Sequence, residues 1–356
     1  MGPLTPLPWQ QALWHRLAIA GDRVPHALLL HGPRGIGKRH FARAYSQSLL
    51  CEAPREHGAA CGECAGCRLI ESGNHPDLRW LVPGADLPER DEADADDGED
   101  AAAETAATTK SAKASREIRI DQVRAVGEFL ALAAHRGGRR VVLLAPAEAL
   151  NAPAANALLK VLEEPPERAV FVGVSDAIDA VLPTVRSRCV LLRAPMPAER
   201  EALTWLTSLG VENAAEKLAE AGGAPVGLHE AAVDDPRRLS PELRNRLLDM
   251  LARGERLSLA EIAAAVPRDI VLSESIRLFQ RWGWDLLAER AAGRVRYYPQ
   301  RKRAIAAAAR SCEPARLLDW LAQLTEAQAT AEHPLNARLA VEGALIGYIG
   351  TVVPVR

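Results

Sequence analysis

Short apolar runs alternate with helical segments in the first half of the chain. Residues 26–31, 140–144 and 169–174 are apolar runs of the length expected for buried strands. Helical spacing follows the first run over 38–50 and separates the other two over 154–164. Because buried strands that alternate with helices form parallel sheets with right-handed crossovers, this pattern predicts an α/β domain.

The pattern changes after Pro195, where the strand-like runs stop and Ala, Leu, Glu and Arg recur at helical spacing to the end. The second half is therefore predicted to be a helical array. Turn-forming clusters at 222–225 and 234–236 precede an internal break that we place near residue 240. We therefore expect one α/β domain, a small helical domain and a larger helical domain, at 1–195, 196–240 and 241–356.

Composition indicates a multi-domain globular protein. The 356 residues are too many for one average domain, and 48% hydrophobic and 25% charged residues are ordinary proportions. No apolar run approaches the roughly 20 residues that a membrane-spanning helix needs. The N-terminus shows no basic stretch followed by an apolar core and a cleavage site. We expect a cytoplasmic protein without a membrane partner.

The formal net charge of −2 hides an uneven distribution. Residues 86–104 hold ten acids and one base, a local charge of −9, so the remainder carries +7. A mildly basic body is compatible with a polyanionic partner such as DNA and equally with an ordinary mixed surface. The surrounding stretch 84–115 almost lacks large apolar residues, and we predict a disordered acidic insertion there. It is interpreted either as a solvated linker or as a DNA-mimicking or partner-binding tail.

A glycine-rich turn after the first apolar run has the spacing of a phosphate-binding P-loop. The segment at 32–39 reads GPRGIGKR, directly after a predicted strand and at the start of a predicted helix. The backbone N–H groups around Gly32, Gly35 and Gly37 would surround phosphates, and Lys38 would reach the outer ones.

The groups that would hold magnesium at this loop are missing. Arg39 stands where a Ser or Thr hydroxyl is needed, and the strand run at 140–144 continues into Ala145 and Pro146 without an acid. Since phosphoryl transfer relies on the metal to neutralise developing charge, ATP hydrolysis is not expected. The loop could still bind nucleotide, be an empty relic or be a structural turn, so ATP binding stays open.

Four cysteines within 17 positions have zinc-binding spacing, C-x9-C-x2-C-x2-C. Thiolates are preferred zinc ligands, and a reducing cytoplasm disfavours disulfides. We predict a closed, structural Zn²⁺ site in a module over 51–80; an iron–sulfur cluster, disulfides and free thiols are the alternatives, with His57 and His75 as spare ligands. The predicted ligands are Cys51, Cys61, Cys64 and Cys67.

Several motifs together resemble the AAA+ proteins of the bacterial clamp-loader family. The segment NALLKVLEEPP at 156–166, the triplet Ser187-Arg188-Cys189, and the cysteine cluster followed by GNHPD at 73–77 carry the resemblance, which covers about residues 8–195. It implies a P-loop-type parallel sheet with flanking helices that carries a zinc module. All-α lid (196–240) and collar (241–356) domains would follow.

The same resemblance implies a role. Motor subunits of the family keep a full P-loop and an acidic second motif, so the departures at Arg39, Ala145 and Pro146 resemble its ATPase-inactive member. Such a member works in a pentamer with three motor (gamma/tau) subunits and a delta subunit, which loads the sliding clamp on primed DNA. Arg188 would then act in trans as an arginine finger toward a motor subunit's ATP.

Other interpretations remain at the level of sequence. A lone arginine at a domain edge, such as Arg188, commonly forms a structural salt bridge. The chain could also be an active clamp-loader motor ATPase, or a zinc-containing DNA-binding module that binds DNA alone with strong salt dependence.

Overall fold

The computed structural model separates the chain into two compact units, 1–201 and 202–356. The predicted acidic insertion lies, apart from Gly84, outside the described residues. No helix in the described part of the chain is long and apolar enough to cross a membrane. The structure describes residues 4–19, 23–84, 117–136, 138–229, 238–331 and 336–352.

The first unit contains a five-stranded parallel sheet with the order β2-β3-β4-β1-β5. The three predicted apolar runs form β1, β3 and β4 in its centre, whereas the two edge strands were not predicted. Non-consecutive neighbours in this order require crossover connections, as the alternation of strands and helices indicated. The strands are β1 (Ala27–His31), β2 (Leu78–Leu81), β3 (Arg140–Leu144), β4 (Ala169–Ser175) and β5 (Val190–Arg193).

Helices flank this sheet, as expected for an AAA+ domain, and the predicted fold class is confirmed. The predicted helices at 38–50 and 154–164 are present within two residues. The second of them is preceded by Asn151, whose side chain accepts the N–H of Ala154 at 3.0 Å as a helix cap. The helices are α1 (Gln11–Ala18), α2 (Lys38–Leu50), α3 (Ala65–Glu71), α4 (Ile120–Ala131), α5 (Ala152–Glu163) and α6 (Pro183–Arg186).

Both faces of the central strands are covered. Val142 and Phe171 point to the side where α4 and α5 contribute their buried apolar residues. Their neighbours Val141 and Val170 point to the opposite side, because successive side chains of a strand alternate. Gly173 leaves room for the Leu29 side chain of the neighbouring strand β1, since a Cβ there would lie 2.9 Å from Leu29 Cδ1. The central strands are therefore rigidly packed, which fixes the loops at their carboxyl ends.

The described residues of the second unit form helices and connecting loops but no strand, as predicted, and α7 crosses the boundary between the units. The predicted division of this half near residue 240 stays a prediction. The helices are α7 (Glu199–Ser208), α8 (Ala214–Glu220), α9 (Val226–His229), α10 (Pro241–Arg253), α11 (Leu259–Ala265), α12 (Leu272–Ala292), α13 (Lys302–Ser311), α14 (Pro314–Thr330) and α15 (Ala337–Val352).

A buried hydrogen-bond chain joins three helices in the core of the second unit. Trp282 Nε1 on α12 donates to the Tyr348 hydroxyl on α15 at 3.2 Å. That hydroxyl in turn donates to the Leu251 carbonyl on α10 at 2.8 Å. Each group thus has a partner within an otherwise apolar core.

Replacing Tyr348 with phenylalanine is expected to lower the free energy of unfolding by about 2 kcal/mol, because the buried Trp282 N–H loses its partner and the Leu251 carbonyl keeps only the Gly254 N–H. Denaturant unfolding of the full chain, followed by circular dichroism, measures the change. Tyr297→Phe removes a hydroxyl from a half-buried ring and is expected to change stability by less than about 0.5 kcal/mol. Equal losses in the two variants would contradict the role of the hydrogen-bond chain.

Candidate functional site

The glycine-rich loop connects the end of β1 to the start of α2. Gly35 and Gly37 have φ angles of +81° and +87°, which residues other than glycine rarely adopt. The structure therefore places Gly32, Gly35, Gly37 and Lys38 together in one loop at the N-terminus of a 13-residue helix. This is the local geometry of a phosphate-binding loop.

The ammonium group of Lys38 is fully engaged within the protein. Its Nζ donates to the carbonyl oxygens of Gly32 at 2.7 Å and Pro33 at 2.6 Å. It also forms an ion pair with Asp176 Oδ1 at 2.5 Å, and its side chain is 2% exposed. Because an ammonium has three N–H donors, these three acceptors use all of them.

Asp176 was not predicted as a site residue. It follows β4 directly, and its N–H donates to Glu148 Oε1 at 2.9 Å, on the segment after β3. The two carboxylates thus lie at the same edge of the sheet as the loop and place negative charge beside it. The sequence signal was an acidic residue two positions after the apolar run at 169–174, since the carboxyl ends of parallel strands meet at one edge.

The N-terminal segment holds the backbone of the loop. Trp9 Nε1 donates to the Ile36 carbonyl at 3.0 Å, and Gln10 Nε2 donates to the Gly37 carbonyl at 2.9 Å. The Ile36 side chain is completely buried. The loop is therefore fixed both by its own lysine and from outside.

The positions that would hold magnesium have no suitable side chain. Arg39, at the hydroxyl position, is exposed on α2. Ala145, at the position of the expected acid after β3, is buried with 1% exposure. At these two positions the chain therefore offers neither the hydroxyl nor the carboxylate that the motif uses to hold magnesium.

Arg188 lies just after α6 and is held at the surface by three acceptors. Its guanidinium donates to the Thr184 carbonyl at 2.9 Å and to Ser187 Oγ at 3.3 Å, and it pairs with Glu163 at the end of α5. The side chain is 32% exposed. Two of the three motifs that carry the family resemblance therefore meet at this ion pair, which both orients the arginine and leaves it accessible.

The four predicted cysteine ligands converge. Their sulfur atoms all lie within 4.8 Å of one another, and they form a group that could hold a metal ion. The Sγ atoms of Cys51 and Cys64 are 3.9 Å apart, as are those of Cys61 and Cys67. A tetrahedron with Zn–S bonds of about 2.3 Å has sulfur separations of about 3.8 Å, so the residues fit a four-thiolate ion such as zinc.

Backbone N–H groups point at these sulfurs. The N–H of Cys61 donates to Cys51 Sγ at 3.2 Å, and the N–H of Cys67 donates to Cys64 Sγ at 3.4 Å. Hydrogen bonds from the N–H groups of Glu63 and Cys64 lower the pKa of Cys61 to about 6. Burial raises the pKa of Cys51 and of Cys67. A bound cation would offset that burial cost by stabilising all four thiolates.

The two spare histidines do not belong to the cysteine group. His75 is buried, and its Nδ1 accepts the N–H of Asp77 at 3.0 Å. Asp77 in turn accepts the N–H of His135 at 2.8 Å, which fixes the segment before β3. The His57 ring instead lies 5.2 Å from the His15 ring. The GNHPD segment therefore has a structural role beside the cysteine module.

The sequence matches a family of known proteins over the first unit. The family model described as "DNA polymerase III, delta subunit" matches residues 9–197. A protein of Pseudomonas aeruginosa named DNA polymerase III subunit delta' is 40% identical over 68% of this chain and 66% of its own length. Proteins with the same name from Escherichia coli and Yersinia pestis are 34% and 33% identical, over 56% and 71% of this chain.

The matches cover about half to two thirds of these relatives, 52% of the Escherichia coli protein and 68% of the Yersinia pestis protein. Among solved structures, a DNA polymerase III gamma subunit-related protein of Thermotoga maritima aligns with 96% of this chain and 99% of its own. Its identity is 17% and its TM-score 0.46, which is too distant for details to be carried over.

Proposed function

This chain belongs to the family of DNA polymerase III delta' subunits, and on that premise we propose that it is an ATPase-inactive subunit of a clamp loader. It works beside motor (gamma/tau) subunits and a delta subunit in a pentamer that loads the sliding clamp on primed DNA. Residues 1–195 contribute the AAA+ domain, and the helices that follow form a lid (196–240) and a collar (241–356). The observation that carries the proposal is that Lys38 is bound to acceptors of the protein itself, in a phosphate loop whose magnesium-binding positions are Arg39 and Ala145.

The proposed inactivity has two independent supports. Ala145 cannot orient magnesium or activate water, and Arg39 offers no hydroxyl to the metal. In addition, the Asp176 carboxylate forms an ion pair with Lys38, the residue that would otherwise bind a phosphate oxygen. The isolated chain is therefore expected to show no magnesium-dependent ATP hydrolysis, whereas a motor subunit would show it. Turnover by the isolated chain, abolished by Lys38→Ala, would overturn the proposal.

Replacing Asp176 with asparagine is expected to raise the affinity of the loop for ATP at least about tenfold. The change removes a negative charge and leaves a neutral amide oxygen as a weaker acceptor for the lysine, and one close charge pair contributes more than 1.4 kcal/mol, a factor of ten. Titration of the full chain with a fluorescent ATP analogue measures the affinity. Asp179→Asn, at an exposed carboxylate paired with Arg186, is the matched control and is expected to change nothing. Equal affinities for the unmodified chain and Asp176→Asn would contradict the blocking role.

We further propose that Arg188 is an arginine finger offered to the ATP of a neighbouring motor subunit. Its planar guanidinium suits the charge that develops on a transferred phosphoryl group. The Glu163 carboxylate keeps this cation oriented in the free chain, and a phosphate in the assembly would replace that partner. The Thr184 carbonyl holds the guanidinium from a second side.

The four-cysteine group is proposed to hold a structural Zn²⁺ ion. All four ligand positions belong to the protein, so the site is closed and adds stability to the segment between α2 and β2. A free-standing zinc-containing DNA-binding module is less well supported, because the same unit carries the complete AAA+ sheet and the blocked phosphate loop.

A further inference from the structure

The second unit carries a segment that is strongly basic. Residues 290–310 contain seven basic residues and no acidic one, in a chain whose net charge is only −2. The segment runs from the end of α12 through a loop into α13. Its basic residues are Arg290, Arg294, Arg296, Arg301, Lys302, Arg303 and Arg310.

This loop is held in one conformation against α12. The buried carboxylate of Asp285 accepts the N–H groups of Arg296 and Tyr298, each at 2.8 Å, and of Tyr297 at 3.0 Å. Lys302 Nζ donates to the Gly293 carbonyl at 3.2 Å and so joins the two ends of the loop. The basic side chains are therefore displayed on a fixed backbone, which lowers the entropic cost of binding.

Most of these charges are not neutralised. Arg301 is paired with Asp249 at 2.6 Å, and the nearby Glu220 is already paired with Arg244. Arg294 and Arg303 are exposed, and in the described part of the chain neither has an anionic partner. The positive potential of the loop is thus available to a ligand that carries several negative charges.

Aromatic rings lie among these cations. Two guanidinium groups lie over the Tyr297 ring, with Arg296 at 5.4 Å and Arg281 at 5.9 Å from its centroid. Trp284 is one helical turn from Arg281 on α12, and its indole is 57% exposed. An exposed tryptophan of this kind is uncommon on a surface and offers a flat face for stacking.

We propose that this surface binds single-stranded nucleic acid, with the arginines on successive phosphates and a base stacked on Trp284. Cations together with an exposed aromatic face are the two elements of sequence-independent single-strand binding. Neither an acidic protein surface nor a duplex, whose bases are already stacked, would use the indole in this way. The inference does not depend on the proposed role of Arg188. We call Arg281, Trp284, Arg294, Arg296, Tyr297 and Arg303 the basic–aromatic surface.

The test is binding of fluorescein-labelled dT20 to the full chain, followed by anisotropy at several salt concentrations. The variant Arg294→Ala/Arg303→Ala is expected to bind at least about tenfold more weakly at low salt. Its slope of log K against log salt should also fall by about 1.4, which is 0.7 for each of two lost phosphate contacts. Arg256→Ala/Arg268→Ala removes two exposed arginines elsewhere in the same unit and is expected to stay within about twofold.

Trp284→Ala separates a nucleic acid from an acidic protein as the ligand. It is expected to weaken dT20 binding about tenfold, since stacking on an aromatic side chain contributes that much per base, and to leave the salt slope unchanged. Absence of dT20 binding, or an equal loss in the control pair, would overturn the proposal. Competition by polyglutamate as strong as by dT20, together with no effect of Trp284→Ala, would assign the surface to an acidic protein instead.

Discussion

Replacing Arg188 with alanine is expected to slow ATP hydrolysis at the adjoining motor site of a reconstituted clamp loader by about 10³-fold or more. The guanidinium would stabilise the negative charge that develops on the transferred phosphoryl group. In the alanine variant only water would be available to stabilise that charge. The measurement is hydrolysis stimulated by clamp and primed DNA, after equal incorporation of the subunit has been confirmed. Because other sites of the pentamer keep their own residues, single-turnover rates resolve the affected site.

Three further variants distinguish a finger from a structural arginine. Arg186→Ala removes a neighbouring arginine whose partners are the Ile178 carbonyl and Asp179, and it is expected to leave hydrolysis unchanged. Arg188→Lys keeps the charge without the planar fork and is expected to recover only part of the rate. Glu163→Gln releases Arg188 from its ion pair and should preserve hydrolysis.

Two outcomes would count against the finger. Full activity of Arg188→Ala would leave this subunit a scaffold. A loss in Glu163→Gln as large as that in Arg188→Ala would show that the ion pair itself, and thus the packing of α5 against the segment after α6, is what matters.

Replacing Cys67 with serine is expected to reduce bound zinc from about one ion per chain to nearly none and to destabilise the first unit. A serine hydroxyl is a poor zinc ligand compared with a thiolate. Loss of the metal also removes its contribution to the free energy of folding. Elemental analysis of the purified chain gives the zinc content, and thermal unfolding gives the stability. A chelator should have the same effect on the unmodified chain.

Cys312 provides the matched control for this substitution. It is a buried cysteine in the second unit, outside the four-sulfur group. Cys312→Ser is expected to retain the full zinc content. Iron with visible absorbance in the purified chain, or equal zinc in Cys67→Ser and the unmodified protein, would contradict a four-cysteine zinc site.

The central strands were predictable because each one is a run of consecutive apolar residues, which is typical of a strand buried on both faces. The strands β1, β3 and β4 have apolar residues at nearly every position, whereas a half-exposed strand alternates apolar and polar residues. The edge strands β2 and β5 are four residues long and partly exposed, with Val190 at 45%. Pairing with a neighbour, rather than local sequence, makes these segments strands.

By itself, the sequence determined the features that depend on spacing along the chain: the phosphate loop, the missing metal ligands, the four cysteines and the family motifs. Only the tertiary structure decided what those residues touch. Asp176 reaches Lys38, Glu163 reaches Arg188, and Asp285 organises the basic loop. Spacing determines which groups one loop or helix can present, whereas the partner of a charged group depends on which distant strand or helix end packs beside it.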